Sequence, residues 1–271
     1  MSTIVLRVRH TPPLRVDLRD VLPLRLAALA ADGIARLPVW HGNERLALAD
    51  LFQIEVRGGD SAVLRFEGDC SRLDRIGAAM DGGRIEIDGS AGDYLGLQMT
   101  AGEIRCAGNA GMFAGCEMAG GRIRIDGDAG DFAGAALAGS MEGMRGGELV
   151  VRGNAGQRLG DRMRRGLLVV LGSAGDFAAS RLVAGTIAIG GAIGVHPAYG
   201  MRRGTLVLAR ARPELGPTFL ETAHDITVFW RLLASRLAKF GAPFDALARR
   251  VPRRRVGDLA AGGLGEVLDP G

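Results

Sequence analysis

The fold is legible in three consecutive segments, RIEIDGSAGDYLGLQMTAG (residues 84–102), EIRCAGNAGMFAGCEMAGG (103–121) and RIRIDGDAGDFAGAALAG (122–139), each beginning 19 residues after the last. An insertion within about residues 138–147 then shifts the phase. The unit resumes as ELVVRGNAGQRLGDRMRRG at Glu148, LLVVLGSAGDFAASRLVAG at Leu167 and TIAIGGAIGVHPAYGMRRG at Thr186. A longer first copy begins at Val63, and a partial last copy, TLVLARA, begins at Thr205. In every unit the second and fourth residues are apolar, as in Ile85 and Ile87 or Leu168 and Val170, the period-two pattern of a short strand with one face inward. Glycine closes the units (Gly83, Gly102, Gly121, Gly147, Gly166, Gly185) and recurs at the sixth and ninth positions, where the chain must turn or pass close to its neighbour.

A unit this short cannot bury its own apolar face, so successive copies must stack in register. The predicted fold class is mainly β: a right-handed parallel β-helix, or solenoid, of about seven to eight coils with a 19-residue repeat, a small α/β N-terminal cap and a helical C-terminal extension. The methionine column (Met80, Met99, Met118, Met163 and Met201, with Leu137 and Leu182 substituting) reads as stacked apolar core. The hexapeptide β-helix of acyltransferases is excluded, because its coil is a multiple of six residues.

The flanks do not follow the repeat, which divides the chain into a cap over residues 1–62, the β-helix over 63–210 and an extension over 211–271. In the cap, IVLRV and LRVDL read as strands, VLPLRLAALAADGIARL as one helix of about three turns, Gly42-Asn43 as a turn, and Asp50 as the lead into the first solenoid strand near Gln53. Such a cap would block the open backbone edge of the first coil. In the extension, DITVFWRLLASRLAKF places Val228, Phe229, Leu232, Leu233 and Leu237 on one helical stripe, expected to fold back on the solenoid or dock on another subunit. The following ARRVPRRR run is too polar for core and reads as solvated or facing an acidic partner.

Of 271 residues, 47% are hydrophobic and 24% charged, the balance of a globular protein rather than a disordered one. No apolar run is long enough for a membrane span or a signal peptide, which predicts a cytoplasmic protein. Aromatic residues make up only 5%, leaving little for nucleic-acid stacking platforms. Cys70, Cys106 and Cys116 lack metal-ligand or disulfide spacing and read as buried thiols. The four histidines, His10, His41, His196 and His224, fall in separate segments, and His196 shares its repeat position with Tyr94, Phe113, Phe132 and Phe177, so an aromatic ladder is its expected place. Asp93, Asp131 and Asp176 recur at one position and read as turn residues. Neither a catalytic constellation nor a metal site emerges.

One charged pattern reads either as solvated corner residues or as a binding row. Arg164 and Arg165 recur two coils later as Arg202 and Arg203, and Arg145 occupies the matching column one coil earlier. Stacking would align these guanidiniums along one corner at roughly 5–10 Å intervals, a row suited to an extended polyanion such as a chain of carboxylates.

The G-x-A-G-x-[FY]-x-G pattern, as in GNAGMFAGCEMAGG, resembles the GXGXG β-helix shared by the C-terminal domain of glutamate synthase and the C-subunit of formylmethanofuran dehydrogenase. With LPVWHGN before the coils, SMEGMRGG after the fourth and PTFLE leading to an arginine-bearing helix, the chain is similar to that C-subunit over nearly its whole length. Two settings are implied. One is a tungsten or molybdenum enzyme that fixes carbon dioxide as formylmethanofuran. The other is a bacterial formyltransferase/hydrolase complex, which moves a formyl group from tetrahydromethanopterin to a methanofuran-type carrier and releases formate. Thirty-three arginines against one lysine, Lys239, favour the bacterial setting. The resemblance implies a scaffold without cofactor or metal of its own. Its partners would be an amidohydrolase-like subunit, a further large subunit and a formyltransferase subunit, with metal on those partners. The row Arg145, Arg164, Arg165, Arg202 and Arg203 would meet the carrier's polyglutamate tail. The competing reading is a glutamate synthase-like component of an amidotransferase assembled from separate chains.

Overall fold

The computed structural model describes residues 2–59 and 61–270, and it is mainly β. One 13-stranded sheet dominates. Its parallel part begins at Ser2–Val8 and continues through Val63–Glu67, Asp81–Ile87, Ala101–Cys106, Arg122–Ile125, Arg145–Val151, Arg165–Val170, Thr186–Ile189 and Thr205–Leu208 to Gly265–Asp269. The repeat sets the register: Ile85 pairs with Ile104, Ile104 with Ile123, Ile123 with Leu149, and so on to Ile187 and Leu206. A second parallel ladder of single bridges links Cys70, Ala91, Ala110, Ala129, Ala155, Ala174 and Ile193. Aliphatic side chains from both ladders and the methionines form one continuous core from Ile4 to Val267.

The closing glycines are dictated by the stacking. Gly147 has φ +79°, and a Cβ there would stand 2.7 Å from the Gly121 carbonyl oxygen and 2.6 Å from Met118 Cε. The same crowding from the preceding rung recurs at Gly102, Gly121 and Gly166. The methionine column differs from its sequence reading in one place. Met144, fully buried, fills the rung assigned to Leu137, which is partly exposed. The insertion therefore bulges out after Ala136 and rejoins the core at Met144, whose carbonyl accepts the Arg164 amide as the Met118 carbonyl accepts that of Arg145.

Polar side chains staple successive rungs. Asp93 Oδ1 accepts the Met112 amide at 2.9 Å, Asp131 Oδ1 that of Gln157 at 2.8 Å, and Asp176 Oδ1 that of Val195 at 2.9 Å, so these aspartates do turn work. At the next position Tyr94, Phe113 and Phe132 stack with centroids 5.1 and 4.9 Å apart, and Phe177 meets His196 at 5.1 Å. Arg158 fills the gap in this column, its guanidinium 4.9 Å from the Phe177 ring. All three cysteines are buried, and desolvation pushes the Cys70 thiol up to about 12 and raises Cys106 and Cys116 as well.

Both flanks join the sheet. Ser2–Val8 pairs parallel with Val63–Glu67, so it supplies a rung beneath the first repeat. Phe52–Gly58 is not the first solenoid strand predicted at Gln53: it runs antiparallel to Ser2–Val8 as the outermost strand. The single helix predicted in the cap is two short ones, Pro23–Ala27 and Ala31–Ala35, broken where Ala30 turns extended. Gly33, which costs about 1 kcal/mol in a helix interior, lies in the second and weakens any longer span. Gly42 and Asn43 do form the turn between Pro38–His41 and Glu44–Ala47.

At the other end Gly265–Asp269 adds a parallel rung to Thr205–Leu208, and Arg253–Gly257 pairs antiparallel with it. The arginine run expected to be solvated is thus partly a strand, with Arg253 and Arg255 held by the buried Asp269 carboxylate and Arg254 by Glu266 at 2.9 Å.

The helix Thr227–Ala238 folds back onto the outer face of the sheet on a stripe that keeps Leu233 and Leu237 of the predicted one and is rotated away from the rest. Trp230, Leu233, Ala234 and Leu237 are buried against Val150, Val169, Ala188, Val207 and Leu268. Val228, Phe229 and Leu232 face outward. Trp230 decides the rotation, since its large ring is buried and its Nε1 donates to the Arg250 carbonyl at 2.6 Å. The docking position was present in the repeat. The outward third residue is charged in early rungs (Arg65, Glu86, Arg105, Arg124) and apolar from Val150 onward, because only the later rungs are covered on both faces.

Candidate functional site

The corner that carries the closing glycines opens into a groove of about 980 Å³. Its floor is Gly83, Gly102, Gly121, Gly147 and Gly166, where the absence of side chains leaves backbone accessible. Five arginines line it, Arg84, Arg122, Arg145, Arg165 and Arg236, against two carboxylates, Glu103 and Glu148. Both glutamates are engaged: Arg84 lies 3.2 Å from Glu103, and Arg122 lies 2.9 Å from Glu148. Arg145, Arg165 and Arg236 are exposed and have no carboxylate within salt-bridge distance among the described residues.

Along the predicted column the backbone positions correspond from rung to rung. Arg145 pairs in register with Arg165, and the Arg145, Arg164 and Arg202 amides all donate to the residue that fills the methionine position of the rung before. The members differ in availability. Arg164 is drawn aside by Glu142 of the insertion, at 3.1 Å. Arg202 and Arg203 are exposed beyond the groove and have no ion-pair partner among the described residues. Arg236 escapes any repeat analysis because it arrives from the C-terminal helix. Arg84 and Arg122 share the first position of their units, where Arg84, Glu103, Arg122 and Glu148 alternate in sign along the stack; that alternation is the sequence signal for them.

Behind the groove, the Glu117 carboxylate is largely buried. Burial would raise its pKa, but hydrogen bonds from Gln98 Nε2 at 2.9 Å and the Leu137 amide at 3.2 Å, with the charge of Arg145, hold it below the ordinary carboxylate range. A depressed pKa means that Glu117 stabilises the fold above the ordinary range and that this contribution fades as pH falls through the lowered value. Arg145→Ala should therefore shift the Glu117 carboxyl upward in a carbon-detected NMR titration. An unmoved titration would show that Arg145 does not reach it.

Chemically the groove can bind an extended anion, through bidentate guanidinium contacts spaced by the rungs. Among the described residues that line it there is no paired nucleophile and base, and among all the described residues no group of three or more His, Cys, Asp or Glu could hold a metal ion. No helix among them is long and apolar enough to cross a membrane.

The GXGXG motif family matches residues 65–217. The C-subunit of the formyltransferase/hydrolase complex Fhc of Methylorubrum extorquens is 47% identical over 89 residues, 33% of this chain and 32% of that protein. The C-subunit of the molybdenum-containing formylmethanofuran dehydrogenase 1 of Methanosarcina barkeri is 34% identical over 92 residues, 33% of this chain and 31% of that one. Its counterpart in the tungsten-containing formylmethanofuran dehydrogenase 2 of Methanothermobacter thermautotrophicus is 33% identical over 92 residues, 33% of this chain and 34% of that one. These alignments span about a third of the relatives' length. A solved structure extends the likeness: a chain of the formyltransferase/hydrolase complex FhcABCD from Methylorubrum extorquens, in complex with methylofuran, superposes with a TM-score of 0.91 at 46% identity, covering 98% of this chain and 99% of that one.

Proposed function

Since the chain belongs to the GXGXG family, in the branch that holds the C-subunits of the formyltransferase/hydrolase complex and of formylmethanofuran dehydrogenase, we propose that it is the non-catalytic scaffold subunit of a formyltransferase/hydrolase complex. The observation that carries this reading is the likeness to a chain of such a complex over 98% of the present one. In this reading the parallel ladder winds as a right-handed β-helix of seven to eight coils. The complex transfers a formyl group from tetrahydromethanopterin to a methanofuran-type carrier and releases formate. Its chemistry and metal reside on an amidohydrolase-like subunit, a further large subunit and a formyltransferase subunit. This chain contributes no cofactor.

The glycine-floored groove gives the scaffold a task. Arg145 and Arg165, with Arg202 and Arg203 farther along and Arg236 at the edge, form a guanidinium rail for the carrier's polyglutamate tail, and Arg164 joins when it leaves Glu142. A rigid rail fits the physics of a tethered carrier, because holding the tail raises the effective concentration of the formyl-bearing end at successive sites.

Two experiments test the proposal. Co-expressed with the candidate partners, the chain should co-purify with amidohydrolase-like and formyltransferase subunits, and alone it should show no formyl transfer. Isolation without those subunits, or turnover by the lone chain, would overturn it. For the rail, Arg145→Ala with Arg165→Ala should weaken binding of a fluorescent oligoglutamate about tenfold or more, given roughly 1.5–3 kcal/mol per hydrogen bond to a charged group before solvent screening. An unchanged Kd removes the rail and leaves the scaffold. The runner-up, the C-subunit of a molybdenum or tungsten formylmethanofuran dehydrogenase, is favoured by the 34% and 33% matches and predicts molybdenum or tungsten in the purified complex.

A further inference from the structure

The helix Thr227–Ala238 buries one apolar edge and leaves another in solvent: Val228 is 74% exposed, Phe229 43% and Leu232 70%. A groove of about 650 Å³, lined by His224, Val228, Phe229, Leu232 and Arg254, lies on one side of its first turn. A second, of about 390 Å³, lies on the other, lined by Trp230, Arg231, Arg249, Arg250 and Val251. The grooves share His224, Asp225, Ile226, Thr227 and Arg254, so they form one surface straddling the helix start. The rim is cationic. Arg231, Arg249 and Arg250 line it, and Arg236 and Lys239 follow along the helix; all five are exposed, and among the described residues none has a carboxylate within salt-bridge distance. Of the two acids that line the grooves, Asp225 is bonded to the Thr227 amide at 2.8 Å and hydroxyl at 2.6 Å, and Glu266 pairs with Arg254 at 2.9 Å and accepts from the Thr205 hydroxyl at 2.8 Å, so neither neutralises these cations.

We infer that this surface docks another subunit of the hetero-oligomer, one presenting an apolar pocket ringed by carboxylates. Charge complementarity selects that occupant. A second copy of this chain would set five cations against five, a repulsion that grows as water is excluded. The apolar centre with a polar, single-sign rim is the anatomy of a specific protein contact. The inference rests on the scaffold reading. Because Arg236, farther along the same helix, lines the arginine groove, the docked subunit would sit beside the proposed rail.

The test uses the whole complex. Phe229→Glu with Leu232→Glu alters only exposed positions, so the isolated variant should melt with the wild type while its retention in the co-expressed complex falls about tenfold or more. A photo-crosslinking residue at Leu232 of the otherwise unaltered chain should join a carboxylate-rich patch on another subunit of the complex, and this readout holds even if the double variant folds poorly. Retention equal to wild type, crosslinks between two copies of this chain, or no crosslink within an assembled complex would each overturn the inference. If the wild-type chain joins no complex at all, the scaffold reading fails and this inference with it.

Discussion

Gly147→Val should lower the thermal midpoint by on the order of 10 °C or more, while Gly139→Ala lowers it by only a few degrees, although the two glycines share nearly the same backbone conformation. Gly147 has φ +79° and Gly139 has φ +84°, so a side chain at either must enter the left-handed region, at roughly 1–2 kcal/mol. They differ in what lies beyond the Cα. At Gly139, on the insertion, a Cβ meets nothing within 4 Å. At Gly147 it would stand 2.7 Å from the Gly121 carbonyl oxygen and 2.9 Å from the Gly120 carbonyl carbon. That backbone is pinned by the parallel pairing of Arg122–Ile125 with Glu148–Val151 and cannot retreat alone. Total destabilisation at Gly147 should reach about 4 kcal/mol or more, in the range reserved for steric conflict in a core. Calorimetry on both variants checks this. Equal shifts would mean that torsional preference, not rung-to-rung contact, places the closing glycines. In a stack whose rungs touch only their neighbours, a break at Gly147 should also uncouple the halves, giving a broadened or two-step transition.

Asp269→Ala should open the C-terminal end without melting the rest. The Asp269 side chain is fully buried, lies 3.2 Å from Arg253 and also binds Arg255, whose own side chain is largely buried. Removing the shared carboxylate leaves Arg255 charged and, among the described residues, Arg253 with only Glu221 at 4.0 Å, at about 3–5 kcal/mol for a buried cluster. The loss falls on the strands Arg253–Gly257 and Gly265–Asp269, the last parallel rung and its cover. Hydrogen exchange should therefore rise steeply over those segments and over the Thr227–Ala238 helix, which packs on Leu268, while Arg84–Val170 keeps its protection. Asp269→Asn retains hydrogen-bond acceptance but loses the charge and should fall between. Uniform exchange across the chain would instead show that the terminal rung and the repeats unfold as one unit.

The tertiary structure corrected the sequence wherever the chain left its repeat. Leu137 stood at the right spacing for the methionine column, but the insertion carries it outward, and Met144 rejoins the core because it immediately precedes the next glycine-bearing strand. The C-terminal helix was legible as amphipathic, and Leu233 and Leu237 of its predicted stripe are buried, but Val228, Phe229 and Leu232 face outward because Trp230 and its bond to Arg250 rotate the buried edge toward Ala234. Arg253 and Arg255 resembled a solvated run because Asp269, which neutralises them, lies beyond the intervening turn. At the groove, the column of Arg145, Arg164, Arg165, Arg202 and Arg203 followed from periodicity alone, whereas the contribution of Arg236 and the capture of Arg164 by Glu142 did not.

By itself, then, the sequence determined the rung spacing, the inward residues, the glycine corners and the backbone register of the arginine positions, since each follows from a short-range pattern copied every 19 residues and stacking turns sequence period into spatial neighbourhood. Only the tertiary structure decided the rotation of the C-terminal helix, the partners of the terminal arginines and which guanidiniums stay free. Those depend on contacts between segments far apart in the chain, where one bulky ring or one buried carboxylate outweighs the local pattern.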